Sequence, residues 1–149
     1  MLTSVALILT AVLMGCKPSP PHTDPATVTK PDVMLAMDRK AYNLGDPAQV
    51  TIVNDTGRAV LVSLVCDGLV EGYERDKWQT VYAPDCSSAP ITPSRIDGGE
   101  SLTAEYTIRC SDEATLARFY TFRLRVRFQF VGEAAYGTAY SSWFVIDER

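Results

Sequence analysis

A chain of 149 residues has room for one domain with appendages. With 46% hydrophobic and 21% charged residues it is an ordinary folding sequence rather than a disordered one. Its net charge of −4 excludes nucleic acid as a partner, because phosphate backbones are held by a surplus of Lys and Arg.

From Leu2 to Met14 the chain is apolar over about the length of a signal-peptide core, and too short for the roughly 20 residues of a spanning helix. The run ends in Leu13-Met14-Gly15-Cys16. These four residues resemble the lipobox of bacterial lipoproteins, which implies cleavage after Gly15 and diacylglycerol carried on the thiol of Cys16. The acyl chains would then hold the protein to a lipid bilayer, since each buried CH₂ contributes about 0.8 kcal/mol. The resemblance also implies a bacterial cell-envelope address, and Lys17 in place of an aspartate after the cysteine tips it toward the outer membrane.

Residues 16–32 follow as a lipidated cysteine and a tether, "KPSPPHTDPATVTKPD", with prolines at 18, 20, 21, 25 and 31 and few large apolar side chains. Such a stretch packs no core and favours extended polyproline II. Three parts are therefore expected: a signal peptide over 1–15, the tether over 16–32, and a folded domain over 33–149. Beyond residue 31 there are twelve basic and seventeen acidic side chains, so the folded part is acidic.

Taken in order, period-two alternation and turn residues predict strands near 33–37, 48–54, 59–66, 69–75, 77–82, 101–108, 119–130 and 137–146. The strongest is 119–130, where Phe122, Leu124, Val126, Phe128 and Phe130 alternate with Arg123, Arg125, Arg127 and Gln129. "NDTGR" at 54–58 reads as a hairpin turn, and "DGG" at 97–99 and "GEAAYG" at 132–137 as further breaks. One or two helical turns are expected in "SDEATLARF" at 111–119, capped by Ser or Asp. Seven or eight short strands predict an all-β, antiparallel sandwich, with a small barrel as the alternative.

The segments "YNLGDPAQVTIVNDTGRAV", "DKWQTVYAPDC" and "ITPSRIDGGESLTAEYTI" resemble the immunoglobulin-like domains of secreted bacterial lipoproteins. They are similar, more distantly, to the intracellular proteinase inhibitor family of Bacillus. The resemblance implies an immunoglobulin-like sandwich and a Cys66–Cys86 disulfide, leaving Cys110 as a partly buried thiol at a strand end. A Cys86–Cys110 bridge or an intermolecular bond are the alternatives. A loop closed by twenty residues would contribute about 3 kcal/mol on the chain-entropy model.

The one histidine of the chain, His22, lies in the tether. The domain therefore has no Ser-His-Asp or Cys-His set, and it carries neither a GxSxG, a Gly-rich phosphate loop nor a CxxC. No catalytic residue, cofactor or metal is expected. Asp67, Glu71, Glu74 and Asp76 read as solvated surface around one hairpin, and Arg123, Arg125 and Arg127 as an exposed face paired with acidic neighbours such as Glu100 and Glu105, or else as an anion site. Tyr73, Trp78 and Tyr82 form a candidate binding patch, although Trp78 also suits the edge of the core, and Tyr136, Tyr140 and Trp143 raise the same question. The expected function is a non-enzymatic binding domain for an unknown envelope protein or polymer. The alternative is a protease inhibitor presenting the loop "APDCSSAPITP" at 83–93, stiffened by Pro84, Pro90 and Pro93.

Overall fold

The computed structural model describes residues 32–88 and 91–147. The leader, Cys16 and all but the last residue of the tether fall outside the described residues. In chain order the elements are β1 (Val33–Met37), β2 (Ala41–Asn43), β3 (Pro47–Asn54), β4 (Val60–Val62), α1 (Leu64–Asp67), β5 (Gly68–Glu74), β6 (Lys77–Tyr82), β7 (Ser94–Ile96), β8 (Ser101–Thr107), α2 (Glu113–Arg118), β9 (Phe122–Phe130), β10 (Tyr136–Tyr140) and β11 (Val145–Asp147). Among the described residues no helix is long and apolar enough to cross a membrane.

Two antiparallel sheets face each other. The first is β1-β3-β8. In the second, β9 carries β10 on one edge and β4 and β5 end to end on the other, with β7 outside β4 and β6 outside β5. The strand pattern predicted an antiparallel sandwich and the structure is one; the first sheet takes the A, B and E positions of an immunoglobulin-like arrangement and the second takes G, F, C and C′. Val50 and Ile52 of β3 meet Val70, Phe122, Leu124 and Val126 of the second sheet in a core where none is more than 1% exposed. A short parallel pair, β2 with β11, closes one end, where the buried rings of Tyr42 and Phe144 meet edge to face at 5.5 Å.

Four expectations need correction. The strand predicted over 59–66 stops at Val62, and the chain makes one helical turn, with the amides of Cys66 and Asp67 donating to the Ser63 carbonyl at 3.1 and 2.7 Å. Leu64 is buried in the helical turn as it would be in a strand, so alternation cannot tell the two apart. From Leu61 to Gly68 this strand advances seven residues while its neighbour β9 moves only three, from Gln129 to Val126. The helical turn therefore inserts four residues into what is otherwise a continuous strand beside β9.

The stretch predicted as one strand over 137–146 is also broken. The Ser141 amide donates to the Leu124 carbonyl and the Ser141 hydroxyl accepts the Leu124 amide, both at 2.9 Å, so a side chain replaces the carbonyl of the ladder. The chain then crosses toward β1 and β2. Two strands, β2 and β7, add to the predicted set, each only three residues long and so too short to show a period. Finally, "NDTGR" joins β3 to β4 and so passes between sheets instead of turning a hairpin.

That crossover hangs on Asn54, which is fully buried. Its Nδ2 donates to the carbonyls of Arg58, Ile96 and Asp97 at 2.8, 3.0 and 3.1 Å, and its Oδ1 accepts from the Thr56 hydroxyl and amide at 2.6 and 3.2 Å. Its backbone carbonyl accepts from Gly99, which sits at φ +83°, and its amide donates to Glu100. One side chain thereby ties the β3–β4 crossover to the β7–β8 crossover. The helix expected in 111–119 is α2, capped by Asp112, whose carboxylate accepts the Thr115 amide at 2.7 Å; that bond and the Thr115 hydroxyl hold the Asp112 carboxyl below its usual pKa.

Candidate functional site

On β9 the inward set is Phe122, Leu124, Val126 and Phe128, and Arg123, Arg125 and Arg127 point away from the core. The β5–β9 register sets Glu71 directly opposite Arg123. Arg123 donates to Glu71 Oε2 through Nε at 2.8 Å, with Nη2 also 2.8 Å from that oxygen, and Arg125 Nη1 lies 3.0 Å from Glu71 Oε1. Glu71 is 4% exposed, covered by the two guanidinium groups it holds. Arg127 Nη2 donates to Asp67 of α1 at 3.1 Å.

The arginines are paired, as expected, but with different carboxylates. Glu105 belongs to β8 in the other sheet and Glu100 to the turn before it, whereas Glu71 and Asp67 lie on the strand and turn that flank β9. Glu71 is correspondingly a buried hub instead of solvated surface, because cross-strand pairing places its carboxylate beneath two long side chains. Of its neighbours, Glu74 is bonded by Arg118, which holds its carboxyl below the usual range, with Gln79 adding to the effect. Asp76 accepts from the Tyr73 hydroxyl at 3.3 Å, and partial desolvation together with that carboxylate raises the tyrosine pKa.

The aromatic side chains interleave with this stripe. Tyr73 and Trp78 are partners across the β5–β6 hairpin, their rings 5.1 Å apart. The Arg123 guanidinium carbon stands 4.3 Å from the Trp78 ring centroid on the β6 side and 4.0 Å from that of Tyr140 on the β10 side. Arg127 is 5.3 Å from the Tyr136 ring. Trp78 thus lies on the outer face, half-buried by Tyr73 and Arg123. The inward positions between the β10 tyrosines are Gly137, where a Cβ would run into the Phe128 ring, and buried Ala139, so Tyr136 and Tyr140 stand on the outer face.

Tyr82 does not join this patch. A bulge between Val70 and Glu71 shifts the β5–β6 register, and Tyr82 packs against the core. Trp143 lies outside β10, against the Lys40 ammonium at 5.2 Å. Reading residues singly misses Glu71 as the organiser. The signal available was its two-residue offset from Tyr73 on a strand beside the arginines.

The loop at 83–93 is joined to α1 by the Cys66–Cys86 disulfide, as the family resemblance implied, and Cys110 is a half-buried free thiol. Beside the bridge is a cavity of about 240 Å³ lined by Tyr82, Pro84, Tyr106 and Arg109 among others. Breaking the bridge in Cys66→Ser with Cys86→Ser is expected to lower stability by about 3 kcal/mol, read as a lower urea midpoint. An unchanged midpoint would mean the inserted turn is held by its own packing. Among the described residues no group of three His, Cys, Asp or Glu side chains is placed to hold a metal ion.

No protein-family model matches the chain, and no curated protein does. Among solved structures it is similar to Spo0M, the sporulation control protein of Bacillus subtilis, at 12% identity and a TM-score of 0.43. The match covers 79% of this chain and 49% of Spo0M, so the chain spans about half the length of that protein. It is also similar to PapD-like domain 7 of human CEP192, at 12% identity and a TM-score of 0.31, over 86% of this chain and 100% of that one. The functional reading therefore rests on the geometry of this chain.

Proposed function

We propose that the protein is a lipid-anchored component of a bacterial envelope, carried on Cys16 and held off the bilayer by residues 17–32, and that its sandwich is a non-enzymatic binding domain. The observation that carries this reading is the outer face of the second sheet. Three arginines, Trp78, Tyr136 and Tyr140 are held there in a fixed lattice by Glu71 and Asp67. Trp, Tyr and Arg are the side chains that dominate recognition surfaces, and side chains already locked in place lose little entropy on binding.

Two measurements test the reading. Metabolic labelling with an alkyne palmitate is expected to tag the wild type and to fail in Cys16→Ala. A photo-crosslinking residue at Thr138, between Tyr136 and Tyr140 on β10, is expected to trap an envelope component in cells, and one at Gln49, on the outer side of β3, is not. Trapping from Gln49 alone would move the binding surface to the other sheet.

A further inference from the structure

Resting on that reading, we infer that the ligand of this face is a linear, carboxylate-bearing polysaccharide laid along β9. Three features of the face lead there. The first is its repeat. Arg123 with Tyr140, and Arg127 with Tyr136, are two arginine–tyrosine pairs, and each member of the second lies four residues from its counterpart on the same strand. On an antiparallel ladder that is a translation of about 13 Å along the sheet. A surface that presents one unit twice in a line fits a ligand that also repeats in a line.

The second feature is charge. Three guanidinium groups are opposed by two carboxylates, and the Glu71 carboxylate is shared. Arg125 spends one nitrogen on Glu71 and keeps its side chain 32% exposed. Arg127 is more than half exposed. Within a domain of net negative charge the face is therefore a positive island with hydrogen-bond donors to spare. Anionic oxygens complement it, and a second copy of the same face would set arginine against arginine.

The third feature is shape. Among the described residues, cavities of about 240 and 400 Å³ border β8 and α2, away from this face. A ligand here lies on an open sheet, with Tyr136 and Tyr140, 61% and 46% exposed, offering aromatic surface to sugar rings. The middle of the face is ion-paired Arg123, Arg125 and Glu71, and a folded partner covering it would take partly wet charges out of water, whereas a hydrated chain leaves them solvated. A flat, centrally charged surface with aromatic flanks suits a hydrated polyanion better than an acidic globule.

The test uses the full-length protein in detergent and three probes of matched length: polygalacturonate, its methyl-esterified uncharged form, and poly-L-glutamate. Calorimetry is expected to show polygalacturonate binding that weakens with salt, about tenfold lower affinity in Arg127→Gln, and a several-fold loss in Tyr136→Ala, with no binding of the ester. Both substitutions fall on exposed side chains that leave Glu71 and the core intact. The inference is overturned if the ester binds as well as the acid. It is also overturned if poly-L-glutamate binds as tightly with Tyr136→Ala silent, since the site would then read charge on a polypeptide. Absence of all polymer binding, with crosslinking at Thr138 still trapping an envelope protein, would end the polysaccharide assignment and leave the binding-domain reading standing.

Discussion

Glu71→Ala should cost about 2–4 kcal/mol, more than any surface substitution on the same sheet. The carboxylate is 4% exposed and bonded by Arg123 and Arg125, whose side chains are 21% and 32% exposed. Removing the shared anion leaves two guanidinium groups close together and only partly wet, and an uncompensated buried charge costs several kcal/mol. Glu71→Gln keeps an acceptor and should cost less. Arg127→Ala, with an exposed pair to Asp67, should cost under about 1 kcal/mol. Urea midpoints at one pH rank the three. A Glu71→Ala loss as small as that of Arg127→Ala would mean the two arginines swing out to water and that the lattice is not built on this residue.

Asn54→Ala is the second large effect, at about 2–4 kcal/mol. The amide makes five hydrogen bonds at a fully buried position, and truncation strands the Ile96 carbonyl, bonded at 3.0 Å, away from water. Asn54→Asp provides the sharper comparison. Its carboxylate can still accept from Thr56 but offers no donor to the three carbonyls of Arg58, Ile96 and Asp97, so at neutral pH it should be at least as damaging as alanine. If Asp were tolerated, the donor half of the amide would be dispensable and the crossovers would be held by backbone alone. Both variants are read by denaturant melts, with hydrogen exchange at Gly99 and Glu100 reporting whether the two crossovers loosen together.

Hydrophobic alternation makes most of the sandwich legible: β1 and β6 have the predicted bounds, β3, β5 and β8 are within one residue at each end, and β9 has the predicted faces. What alternation could not reach was decided by contacts distant in sequence. β2 and β11 exist as a pair because residues 41–43 and 145–147, about a hundred positions apart, meet in space, and neither has the length to announce itself. Ser141 ends β10 through a hydroxyl that replaces a carbonyl, a substitution invisible to hydrophobic period. The site followed the same division. The arginine stripe and the aromatics were legible by type, but Tyr82 left the patch through a one-residue bulge, and Glu71 became its hub through register. Register is a property of pairs of strands, and one strand read alone does not contain it.

The four residues inserted at α1 have an evolutionary consequence. Strand side chains alternate with period two, so an insertion of four leaves Leu61 and Leu69 on the same side of the sheet, and Glu71 continues outward toward the arginines. An insertion of even length preserves that parity, and one of odd length inverts it. Loss of a single residue between Ser63 and Gly68 would have to be absorbed within the turn, or Val70 would face water and Glu71 the core. Natural length variation at this turn should therefore come in twos, and a homologue differing here by one residue should show a compensating bulge before Val70.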